Sequence, residues 1–204
     1  MDAVRVALLR EALAGTEWLR TTRHFAGTLR TSVTRHGGGL LLVGSPRYEP
    51  WHLAAHLDDE AAWSGLPELS PTLVRHRVPD GVPAHLAVGL GRLEAARRGE
   101  TLLVVTAEEP GEGLLERVHD ARRGGATVLA LDGAGGDEGR DLRALAHDAL
   151  PVPAAAELDL DTVQHLVSAA AGENAPPAPR GRHRFLDRLA RLAEQLSAPP
   201  PTRW

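Results

Sequence analysis

Along this chain, short dense apolar runs alternate with longer stretches in which apolar residues recur every three or four positions. The densest runs are Leu40-Leu41-Leu42-Val43, Thr101-Leu102-Leu103-Val104-Val105-Thr106 and Ala126-Thr127-Val128-Leu129-Ala130-Leu131-Asp132. Continuous apolar runs of this length, rich in β-branched residues and bounded by glycine, predict strands buried on both faces, as in a parallel sheet. A weaker strand is predicted at Leu73–Val78. A short final one is predicted at Ala149–Pro153, where the prolines suit a sheet edge.

The stretches between these runs carry helical spacing. Val4, Ala7, Leu8 and Ala12 predict a helix over residues 2–14, broken by Gly15. Thr16 is an expected N-cap for a second helix reaching Arg35, with Trp18, Leu19, Phe25, Leu29 and Val33 inward. Further helices are predicted over Glu49–Trp63, with Pro50 in the first turn, over Pro83–Arg98, over Leu114–Arg123, over Arg140–Asp148 and over Asp159–Ala171. Thr101 to Asp132 thus forms a strand–loop–helix–strand unit, and such a crossover is almost always right-handed and parallel. Ligands of open parallel sheets bind at the carboxyl ends of the strands, which directs attention to the loop Ala107–Gly113. The expected fold is α/β: a three-layer sandwich with a five-stranded parallel sheet, preceded by an N-terminal helical hairpin. This domain spans residues 1–173. A proline-rich linker over 174–183 and an amphipathic helix with a flexible tail over 184–204 follow it.

Composition narrows the chemistry. The 204 residues contain no cysteine, which excludes disulfides and thiolate catalysis. They contain no lysine either, which excludes Schiff-base and P-loop lysine chemistry. The net charge of −4 gives no reason to expect nucleic acid. No apolar segment is long enough to span a bilayer and the N-terminus lacks a signal-peptide pattern, so no membrane association and a cytoplasmic location are expected.

The order and length of elements over roughly residues 2–173 resemble the sugar isomerase (SIS) domain, within it the phosphoheptose isomerase branch. Leu40-Leu41-Leu42-Val43-Gly44-Ser45 resembles the first strand and its phosphate loop, and the helix holding Trp51-His52-Leu53-Ala54-Ala55-His56-Leu57 is similar to the one that follows. Thr101–Asp132, Leu150-Pro151-Val152-Pro153 and the helix from Leu160 match the second half. The resemblance implies a ligand site built from Ser45, Arg47, Thr106 and Glu108. In active members the loop after the third strand is rich in Ser and Thr and cradles a sugar phosphate at a helix N-terminus. Here only Thr106 keeps a hydroxyl, and Glu108, Glu109 and Glu112 stand where the anion would sit. The site is therefore either filled by the protein's own carboxylates or bordered by ordinary N-terminal glutamates of a helix.

The branch's metal site implies a His and an acid one helical turn apart. His52 falls on the first position and His56 replaces the acid. An i, i+4 His pair can chelate a zinc-type ion, but two ligands do not complete a site. The remaining family ligands align with Thr162 and Ala170, which cannot ligate; His165 or Gln164 serves if the alignment shifts by a few residues. Elsewhere, Gly89-Leu90-Gly91 lacks the context of a dinucleotide motif, and Ser45 lacks that of a hydrolase nucleophile. His119 and His147 read as surface residues, and Asp159 and Asp161 as helix-start acids that can approach the carboxyl edge of the sheet.

These features give three expectations. The first is a carbohydrate-derivative (phosphosugar) binding protein that has lost isomerase chemistry. The second is a phosphosugar isomerase using His52 or His56 as metal ligand or acid/base, with zinc as its cofactor. The third is an assembly protein on a self-filled SIS fold. The resemblance also implies a homodimer or homotetramer, and the segment Arg184–Trp204 is a candidate dock for a protein partner.

Overall fold

The structure, a computed structural model, describes residues 16–134, 136–152 and 158–173. The expected helix over 2–14, the linker over 174–183 and the helix from Arg184 lie outside the described residues. Five parallel strands form one sheet: β1 (Leu40–Val43), β2 (Pro71–Val74), β3 (Thr101–Thr106), β4 (Thr127–Asp132) and β5 (Asp148–Pro151), in spatial order β2-β1-β3-β4-β5. Among the described residues, six α-helices accompany them: α1 (Glu17–His36), α2 (Trp51–Ser64), α3 (Gly91–Glu94), α4 (Glu112–Arg123), α5 (Arg140–Leu145) and α6 (Leu160–Gly172).

Period-two geometry divides each strand between two cores. Leu40 and Leu42 of β1, Leu103 and Val105 of β3, and Leu129 and Leu131 of β4 pack with Phe25 and Leu29 of α1, Leu53 and Leu57 of α2, and Val163, Leu166 and Val167 of α6. Leu41 and Val43, Leu102 and Val104, and Val128 and Ala130 point the other way, onto Leu93 of α3, Leu114, Val118 and Ala121 of α4, and Leu142 of α5. The continuous apolar runs are thus the inward residues of both faces, and the fold is the expected three-layer α/β sandwich. Among the described residues, no helix is long and apolar enough to cross a membrane.

One element departs from expectation. Pro83–Arg98 is not a crossover helix. It contains a single 3-10 turn at Ala84–Leu86, an isolated bridge pairing Arg75 with Gly89, and the one-turn helix α3. Gly89 and Gly91 interrupt the segment where helix propensity is most needed, each costing about 1 kcal/mol against alanine. Leu86, which belongs to the apparent apolar stripe, is 43% exposed; Leu93 and Ala96 are buried in the core, and Val88 and Leu90 pack partly against it. The strand predicted at Leu73–Val78 starts earlier and ends at Val74, since Pro71–Val74 pairs in register with Leu40–Val43.

Candidate functional site

The strand order places one crevice at the carboxyl edge. From β1 the chain crosses through α2 to β2 on one side. From β3 it runs through α4 and β4 to β5 on the other. The loops after β1 and β3 therefore diverge, and in such sheets the gap between them is the place where ligands bind.

The loop after β1 is shaped by Gly44. A Cβ there would lie 1.8 Å from the Tyr48 carbonyl oxygen, so only glycine permits the tight return of the chain. The Tyr48 N–H donates to the Ser45 carbonyl at 3.2 Å and to the Ser45 hydroxyl oxygen at 3.1 Å. The hydroxyl itself is buried and donates to Glu108 Oε1 at 3.1 Å. Arg47 Nη1 reaches Glu108 Oε2 at 3.3 Å. Glu108 comes from the loop after β3, so its carboxylate bridges the crevice and occupies the hydroxyl and the guanidinium that would receive an external anion. Glu112 lies in the first turn of α4, after the N-cap Gly111. Thr106 ends β3 fully buried, and its hydroxyl has no hydrogen-bond partner.

A second constellation begins three residues beyond Ser45. The Tyr48 hydroxyl donates to Asp161 Oδ1 at 3.0 Å and accepts from Gln164 Nε2 at 2.6 Å. Burial pushes the Tyr48 phenol up to about 12, so the hydroxyl stays protonated. Gln164 is buried, and its Oε1 has no partner. Asp159 caps α6 by accepting from the Thr162 N–H at 2.7 Å, a bond that holds its carboxyl below the usual range.

Next to Gln164, His165 turns toward α2. Its ring meets that of His52 edge-on at 4.9 Å between centroids and that of His56 at 4.4 Å. His52 Nε2 and His56 Nε2 lie 3.0 Å apart. One ring nitrogen from each of the three histidines falls within 4.8 Å of the others. Burial, reinforced by His56, pushes His165 down to about 4, and burial followed by His52 lowers His56. At neutral pH these two rings are uncharged and able to ligate a cation. Trp51, at the first position of α2, stacks over His52 and is largely exposed.

The structure thus joins Ser45, Arg47 and Glu108 in one hydrogen-bonded group, and His52 and His56 in another that includes His165. Thr162 and Ala170, the positions aligned with the family's ligands, are not in that group; the residue of α6 that lies beside His52 and His56 is His165. Tyr48, the single tyrosine of the chain, links the two groups through Gln164 and was not among the sequence candidates. Its place in the loop after a buried strand was the available signal. His147 is exposed as expected, and its Nδ1 accepts the Val128 N–H at 3.0 Å, beside the start of β5.

The sequence matches no protein-family model and no curated protein. The fold does have solved counterparts. A protein of Salmonella typhimurium LT2, provisionally described as sugar-binding, aligns at a TM-score of 0.53 with 15% identity over 87% of this chain. The chain spans about half (53%) of that structure's length. The sugar isomerase domain of the RpiR transcription factor from Sphaerobacter thermophilus aligns at a TM-score of 0.46 with 17% identity, over 84% of this chain and 86% of that one. At these identities the likeness is one of fold alone: a five-stranded α/β sandwich.

Proposed function

We propose that this protein is a carbohydrate-derivative binding module on a SIS-like sandwich, without isomerase chemistry at its phosphate loop. The observation that carries this reading is Glu108 seated on Ser45 and Arg47. A phosphate dianion entering the loop would meet a carboxylate already holding both donors, and like charges at such a distance disfavour each other. Glu108 and Arg47 instead offer an acceptor and a donor of the kind that fit sugar hydroxyl groups.

The test is thermal unfolding of the protein and of Glu108→Gln against unphosphorylated sugars, sugar acids and sugar phosphates. A ligand at a hundred times its dissociation constant stabilises by about 2.7 kcal/mol, a rise of several degrees for a chain of this size. The expected pattern is a shift with unphosphorylated ligands that weakens in Glu108→Gln, and a sugar-phosphate shift that is absent or smaller in the parent than in the variant. Failure of every carbohydrate to shift either protein refutes the reading and leaves an assembly role on a self-filled fold.

A second reading, a metal-dependent phosphosugar isomerase, draws on the imidazoles of His52, His56 and His165. Aldose–ketose conversion needs a group that moves a proton between adjacent carbons, and a neutral histidine near the crevice meets that need. Product analysis of sugar phosphates incubated with zinc-loaded protein decides it.

A further inference from the structure

We propose that the amino edge of the sheet is a docking surface for an acidic segment of a partner protein, received by Arg35, Arg97, Arg98 and Arg123. This surface lies at the opposite end of the strands from the crevice and stands apart from the carbohydrate reading.

Three glycine turns build it. β1, β3 and β4 are neighbours that start in register, with Leu40 beside Thr101 and Thr101 beside Thr127. The turns leading into them, at residues 37–39, at Gly99 and at residues 124–125, therefore lie side by side at the strand spacing of about 4.8 Å. They are pressed together. A Cβ on Gly38 would lie 2.3 Å from the Gly99 carbonyl oxygen, and one on Gly125 would lie 3.2 Å from Arg98 Cβ. The Thr101 N–H donates to the Gly39 carbonyl at 3.0 Å, and the Thr127 N–H to the Glu100 carbonyl at 2.9 Å. The result is a shelf of backbone bare of bulky side chains, whose charge is set by the arginines that flank it.

Arg35 stands in the last turn of α1, Arg97 and Arg98 precede Gly99, and Arg123 ends α4. All four are exposed, and among the described residues none has an ion-pair partner. The acid in their midst, Glu100, is buried and already taken by Arg92 and by the Arg97 N–H at 2.9 Å. Asp120, one turn before Gly124, is exposed and pairs with none of them. A cation at a helix C-terminus answers the macrodipole, which accounts for Arg35 and Arg123 singly. It does not account for Arg97 and Arg98, which follow the one-turn helix α3.

Charge complementarity selects the occupant. Guanidinium groups take carboxylates in bidentate fashion, and an extended chain presents every second side chain on one side at about 6.8 Å intervals. A short run of Asp or Glu laid across β1, β3 and β4 thus meets successive arginines. The other end of the sheet exposes Glu109, Glu112, Asp137, Glu138 and Asp141, so an acidic segment is steered away from the crevice and towards this edge. The chain's own continuation is the wrong occupant, because residues 174–204 hold six arginines against Asp187 and Glu194. Nucleic acid fits less well: the net charge of −4 opposes it, and none of the three turns contains a Trp, Tyr or Phe on which a base would stack.

The test is fluorescence anisotropy of dye-labelled hexaglutamate against the full chain at low salt. The parent should bind it, and binding should weaken as salt rises to about 0.15 M, where screening acts within about 8 Å. Arg98→Glu/Arg123→Glu should bind about 10-fold more weakly or worse, because each reversal removes an attraction and adds a repulsion. Arg20→Glu/Arg140→Glu changes the net charge equally through two exposed arginines at the starts of α1 and α5, and should bind as the parent does. Circular dichroism establishes that both double variants are folded. No binding by the parent overturns the proposal. Parent-like binding by folded Arg98→Glu/Arg123→Glu also overturns it and moves the contact to the arginines beyond residue 173. Tighter binding of a thymidine hexanucleotide than of hexaglutamate overturns the choice of a protein partner. Self-association of the parent in sedimentation that Arg98→Glu/Arg123→Glu abolishes overturns the choice of a foreign one, since the acids then come from a second copy.

Discussion

Acid should destabilise this protein through His165 more than through any ordinary surface histidine. The side chain is 6% exposed, between α2 and α6, and its folded value of about 4 lies well below the 6.5 of a free histidine. A depressed folded value means that the native state resists a proton that the unfolded chain accepts. Stability is therefore intact above the unfolded value and falls as pH drops from about 6.5 towards 4. At about 1.4 kcal/mol per pH unit, the full loss is about 3 kcal/mol. Going from about pH 7.5 to about pH 5 the loss is about 2 kcal/mol, and the melting temperature should drop by about 4–8 °C. The assay is urea unfolding of chelator-treated protein at both pH values, compared with His165→Asn. The variant cannot take up that proton, so it should lose about 2 kcal/mol less over the same interval, whatever its stability at neutral pH. Equal losses in parent and variant would refute the linkage, and with it the view that burial holds this ring neutral.

Three further outcomes follow from packing and loop geometry. Gly44→Ala places a methyl group against the Tyr48 carbonyl, so the Ser45 turn must open; the variant should stay folded in its core but lose carbohydrate-induced thermal shifts. Arg143→Ala strips the fully buried Asp132 carboxylate of its guanidinium, leaving the Ala134 N–H on its Oδ1, and should cost about 3–5 kcal/mol by denaturant unfolding. Leu57→Ala, under α2 in the layer shared with α1 and α6, should cost about 2–5 kcal/mol, and a loss below about 1 kcal/mol would contradict the dense packing described there.

Strands were the most legible part of the sequence, for a physical reason. A strand buried on both faces by two helix layers must be apolar through its middle; β1 is apolar throughout, and β3 and β4 are apolar between their polar end residues. The crossover after β2 was misleading because its apolar residues keep a helical interval without a buried face to serve. Leu86 stands exposed, Gly89 pairs with Arg75 instead of continuing a helix, and the helix that begins at Gly91 lasts one turn. In the site, Ser45 and Arg47 were legible from their place after a buried strand, and Glu108 from its place beyond β3. What the sequence left open was whether Glu108 would turn to the loop or to solvent, since that depends on two segments sixty-three residues apart in the chain. The His52–His56 pair was legible from its i, i+4 spacing. Its third member was narrowed only to His165 or Gln164, because the choice depends on how α6 rotates against α2, and no local pattern around these two residues encodes that rotation.

The two helix layers are unequal. On one face lie helices of 20, 14 and 13 residues, and on the other lie helices of 4, 12 and 6. Local opening begins where the least apolar surface must be exposed, so the thin layer is expected to form the less stable cooperative unit. Ser45 and Arg47 lead into α2, in the thick layer, while Glu108 leads into α4, in the thin one. The carboxylate that closes the crevice is thus anchored in one cooperative unit and held by donors of the other. Its release needs only a partial opening of the thin layer, well below the free energy of global unfolding, and the crevice can exchange its contents while the core under α1, α2 and α6 stays shut.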